Sequence, residues 1–103
     1  MFVFDVEDPP GRRVVMDASA MAGHIVPRHP EMIGHEQDIA DAIVSPSAIY
    51  ATRGGRNVYL GCNRWLVEVI VEHRLAVYGV VVTAWHPRRR LAVRGERLWP
   101  PIS

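Results

Sequence analysis

Beyond Pro46 the apolar residues of this chain return at every second position, whereas before it they return at three and four. A switch of period at this point places a helix before Pro46 and strands after it. Ala48-Ile49-Tyr50-Ala51 and Val58-Tyr59-Leu60 flank Arg53-Gly54-Gly55-Arg56, where two glycines supply the positive φ of a tight turn, so a hairpin is predicted there. In residues 65–72, Trp65, Val67, Val69 and Val71 make one face wholly apolar, while Glu68 and Glu72 share the other with Leu66 and Ile70. The first face belongs against helices. His73-Arg74 then turns the chain into residues 76–85, β-branched and apolar on both faces, as in a central strand.

Residues 2–6 and 13–16 read as a small hairpin around Pro9-Pro10-Gly11. Asp17 or Ser19 suits the cap of a short helix, which Pro27 is expected to stop. Pro30 and Glu31 start a second helix, in which Ile39 and Ile43 repeat at i, i+4 with Ala40 and Val44 beside them, and Ser45-Pro46 ends it. With 103 residues there is chain for one core only. The predicted fold is a single α+β domain, residues 1–103: an N-terminal hairpin and two short helices packed on a four-stranded antiparallel sheet. Leu91, Val93 and Leu98 add either a further strand or an irregular cover.

Several classes are excluded by composition. With 49% hydrophobic and 22% charged residues the chain is neither disordered nor collagen-like. No apolar run approaches the roughly 18 to 20 residues of a membrane helix, so no membrane partner is expected. A lone Cys62 cannot form an internal disulfide. Together with a start, Met1-Phe2-Val3-Phe4-Asp5, that lacks a basic leader region, this makes a cytoplasmic location the expectation. All twelve basic side chains are Arg. Residues 1–51 hold three Arg and eight acids, net −5, and residues 52–103 hold nine Arg and three acids, net +6. The second half is therefore a segment of planar cations suited to phosphate.

Chemistry concentrates between Gly23 and Glu31. His24, Arg28, His29 and Glu31 provide proton donors, proton acceptors and an oxyanion-stabilising cation within eight residues, which is what phosphodiester cleavage through a neighbouring 2′-hydroxyl requires. The same residues also suit a packed histidine and an ordinary turn. His24, His29 and His35 are separated by Pro27 and Pro30 and do not share a helical face as paired ligands would, so neither a metal nor another cofactor is predicted. Arg88, Arg89 and Arg90, with Trp85 before them, combine guanidinium forks with a flat aromatic face, a surface suited to RNA or equally to a solvated strand end.

His24-Ile25, then Arg28-His29-Pro30-Glu31, a helix closed by Ser45-Pro46, and strands ending in Val80-Val81-Val82-Thr83-Ala84 resemble the phage-associated branch of the barnase, EndoU, colicin and RelE-type ribonuclease group, from about Asp5 to Ala84. The resemblance implies two helices on a four-stranded antiparallel sheet and metal-independent RNA cleavage by a toxin or phage-encoded nuclease. It implies His24 for acid–base work, Arg28 or His29 for the phosphate, and Thr83 as a hydroxyl partner. It also implies an acidic antitoxin or immunity protein as partner. The alternative is a non-catalytic module that holds nucleic acid or protein on the Arg-rich segment, and pairing of strand edges into a homodimer is a third reading.

Overall fold

Val14, Val15 and Met16 are fully buried, so the N-terminal hairpin cannot be a detached ribbon. In the computed structural model, which describes residues 1–62, 65–73, 77–88 and 95–101, it consists of β1 (Phe2–Glu7) and β2 (Arg13–Asp17). The later strands are β3 (Ala48–Ala51), β4 (Arg56–Gly61), β5 (Val67–Glu72), β6 (Gly79–Trp85) and β7 (Arg97–Trp99). Their spatial order is β1-β2-β6-β5-β4-β3-β7. All pairings are antiparallel except β2 with β6, which are parallel, Val14 opposite Gly79 and Val15 opposite Val80.

The expected four-stranded antiparallel sheet is thereby corrected to a seven-stranded mixed sheet, while the α+β class stands. The physical reason lies in β6. Four strands alone would leave it on an edge, yet it is apolar on both faces, and docking β2 along its open side removes that edge. At the other end β7 covers β3, with Ile49 opposite Trp99 and Tyr50 opposite Arg97. Leu98 belongs to this added strand; Leu91 and Val93 lie outside the described residues.

Asp17 caps the first helix, α1 (residues 18–28), its Oδ1 accepting from Ser19 N at 2.9 Å and Ser19 Oγ at 2.8 Å. These bonds hold the Asp17 carboxyl below its usual range. Pro27 does not stop α1, which continues to Arg28. The helix widens into a π segment at Met21–Ile25, where Val26 N donates to Met21 O, and His29 N still reaches Ile25 O at 2.7 Å. The looser turn makes room for the proline ring, whose missing amide would have had to serve a tighter ladder. A 3₁₀ turn, Pro30–Met32, leads to α2 (Glu36–Val44). Ile39, Ala40 and Ile43 are buried as their spacing predicts, but Val44 is exposed. Among the described residues no helix is long and apolar enough to cross a membrane.

One core joins the layers. Ile25, Met32, Ile39 and Ile43 from the helical side meet Val14, Met16, Ile49, Tyr59, Val67, Val69, Val71, Val81 and Ala84 of the sheet. The Trp65, Val67, Val69, Val71 face thus meets the helices, as read from its alternation. Gly61 permits a close approach of α2 to β4, because a Cβ there would lie 2.5 Å from the Ala42 Cβ. Gly54 and Gly55, with φ of 77° and 76°, turn β3 into β4.

Register divides the polar chemistry between two ends of the sheet. Arg56 opposite Glu72 and Val14 opposite Gly79 mark one end; Gly61 opposite Val67 and Glu68 opposite Trp85 mark the other.

Candidate functional site

The second end gathers three imidazoles around two indoles. Trp65 precedes β5, Trp85 closes β6, and His86 follows it directly. His35 stands at the N-terminus of α2. Its ring stacks on Trp65 with centroids 3.9 Å apart and planes 23° apart, and His86 stacks on the same indole at 4.0 Å and 11°. Two rings so near one centroid would overlap if they shared a face of the indole. They therefore occupy opposite faces of it.

Each of these imidazoles has one nitrogen tied. His86 Nδ1 lies 2.6 Å from Leu66 O, and because a carbonyl only accepts, this nitrogen carries a proton. His35 Nδ1 lies 2.7 Å from Asp38 Oδ2, the arrangement in which a carboxylate orients an imidazole through its Nδ1 proton. A ring so tied, when it carries one proton, has its lone pair on Nε2, and when it carries two, has a second donor there. The spacing comes from local structure: Asp38 follows His35 by three residues, one turn of α2, and Leu66 O is fixed by the entry of the chain into β5.

His29 and Glu31 border the stack. Glu31 Oε2 accepts from His86 N at 3.3 Å and lies 3.9 Å from His29 Nδ1, while the His29 ring tilts against Trp85 at 5.9 Å. The side chains of His29, Glu31 and His35 remain 33%, 39% and 36% exposed, so solutes reach them. Among the described residues, no group of three or more His, Cys, Asp and Glu is placed to hold one metal ion.

Of the residues singled out in the sequence, the structure brings together His29, Glu31 and Trp85. His24 lies in the π segment of α1, half-buried, and no side-chain hydrogen bond, ion pair or ring contact joins it to another described residue. Arg28 is exposed at the end of α1 and Arg88 is exposed two residues after His86. Thr83 sits opposite Ile70 in the sheet, its Oγ1 buried without a hydrogen-bond partner among the described residues. Arg89 and Arg90 lie outside the described residues. Sequence reasoning missed Trp65 and His86 and weighed His35 only as a metal ligand. The His35-to-Asp38 interval was the one local signal available.

Comparison with protein-family models, with curated proteins and with solved structures finds no match. The ribonuclease resemblance accordingly rests on the quoted residues alone.

Proposed function

We propose that the protein is a metal-independent endoribonuclease whose acid–base pair is His35 and His86. The observation that carries this reading is the placement of two oriented imidazoles on opposite faces of Trp65. In-line transfer at phosphorus puts the attacking and leaving oxygens on opposite sides, each with its proton carrier about 3 Å beyond, so the two carriers must stand apart. An indole spaces the two rings, and the phosphate would have to bridge their Nε2 edges across its rim.

One Nε2 takes the proton of the ribose 2′-hydroxyl as its oxygen attacks the adjacent phosphorus. The other gives a proton to the departing 5′-oxygen. The products are a 2′,3′-cyclic phosphate and a 5′-hydroxyl, and each group contributes about 10²- to 10⁴-fold. Glu31, held between His29 and the His86 amide, fixes the approach of the β6 terminus. Arg28, exposed next to His29, and Arg88, exposed two residues after His86, supply charge for the phosphate. His24, which touches none of these groups, has no part in the reaction as drawn here.

Incubation with mixed RNA in EDTA tests this directly: fragments ending in cyclic phosphate and 5′-hydroxyl support it. Binding without product, with affinity falling steeply with salt, would replace it with the non-catalytic module.

A further inference from the structure

An open groove of about 440 Å³ lies between β1, α1 and the entry to α2, and the proposed reaction does not use it. Val3 of β1 forms one wall, Ile33 and Glu36 another, and Ala18, Met21, Ala22 and Val26 of α1 the floor. Those four recur at i, i+3, i+4 and i+8, so they share one face of the helix. Met21 is buried, but Val3 and Ile33 stay 42% and 69% exposed, and Phe2, next to Val3, stays 41% exposed. An apolar concavity rimmed by exposed branched side chains is the pattern of a docking surface.

We infer that this groove receives a cationic amphipathic helix of a partner protein, its apolar side chains in the groove and an Arg or Lys against Glu36. Charge selects the occupant. Glu36 is the one charged side chain among the lining residues, and no side-chain hydrogen bond or ion pair joins it to another described residue. The acids around it are already matched: Asp5 by Arg13 at 2.6 Å, Asp38 by His35 at 2.7 Å, and Asp17 by Ser19 and by the Met1 amino group at 3.8 Å. Arg28 follows Val26 by two residues, which sets it about 200° round the helix and away from the lining face. An anionic lipid or nucleic acid would therefore be repelled, and a second copy docked by two-fold symmetry would bring Glu36 toward Glu36. Backbone geometry selects a helix over a strand. β1 ends the sheet order, but its register breaks between Phe2 and Phe4, and a bulge there spoils edge-to-edge pairing. A helix satisfies its own backbone and needs only the groove.

Two synthetic helical peptides serve as probes, identical in their leucine stripe and carrying either arginine or glutamate on the other positions. Titration followed by amide NMR and by anisotropy of the labelled peptide does not depend on RNA cleavage. The arginine peptide should shift the signals of Val3, Ala22, Ile33 and Glu36, and should bind about tenfold or more tighter than the glutamate peptide. Glu36→Arg should reverse that preference. Ile33→Ser, at a mostly exposed position that the fold does not need, should weaken the arginine peptide about fivefold. No binding of the arginine peptide, equal binding of both, shifts centred away from the groove, or an unaltered preference in Glu36→Arg would overturn the proposal. So would sedimentation showing a dimer that Ile33→Ser dissolves, because the occupant would then be a second copy.

Discussion

Tyr59 shows what one hydroxyl can carry when it is fully buried. Burial, and next the bond to Asp8, push its ionisation well above the ordinary tyrosine value, so it remains a donor to Asp8 and an acceptor from Arg12 and His73. Tyr59→Phe keeps the ring in the core but takes the acceptor from Arg12 Nη2 and His73 Nε2 and one of two donors from Asp8 Oδ2. A loss of about 1–3 kcal/mol is expected, read from urea midpoints. Trp65 plays a different part, as the spacer between two imidazoles. Trp65→Leu should fold, because the indole is only partly buried, yet cut kcat for RNA cleavage on the order of 10²-fold with little change in KM. The grouping of His29 with Glu31 was legible because both lie within one turn. The stack was not: Trp65 meets His35 and His86 across thirty and twenty-one positions of chain, and residue spacing reports only neighbours that local structure brings together.

Among the elements, α2 and β4 meet closely at Gly61. Gly61→Ala places a methyl group against Ala42 in a region with no slack, and a destabilisation of about 1–3 kcal/mol is expected, measured as a lower denaturation midpoint with unchanged m-value. The strands of the sheet's centre were legible because alternation, β-branched residues and the Gly54-Gly55 turn all agree. The full sheet was not. β6 carried the signal, since a strand apolar on both faces needs neighbours on both sides, but periodicity does not say which segment supplies the second one. The parallel docking of β2 spans more than sixty residues of chain and leaves no local mark. Pro27 misled for a related reason: a proline argues against a regular α-helix, and the sequence does not announce the π segment that accommodates it.

For the whole molecule, stability should depend on pH in two steps of the same sign. His73 is held neutral in the fold, so below about pH 6.5 the unfolded chain binds the proton first and the unfolding free energy falls until the folded ring titrates too. Asp5, lowered by its hydrogen bonds from Arg13, and Asp17, lowered by those from Ser19, add stability that is present above the ordinary carboxylate pKa and disappears as pH drops through their folded values. Urea midpoints recorded from pH 7.5 to 3 should therefore decline first near the histidine range and again near pH 4; a flat profile between pH 7 and 5 would deny His73 its place. The proposed ribonuclease reading rests on the imidazole–indole end, and one measurement reaches it most directly. The rate of RNA cleavage in EDTA is compared between the wild-type chain and His86→Ala. The wild type should yield cyclic-phosphate ends and the folded variant should be about 10²- to 10⁴-fold slower. Equal rates, or no product from the wild type, would contradict the ribonuclease reading.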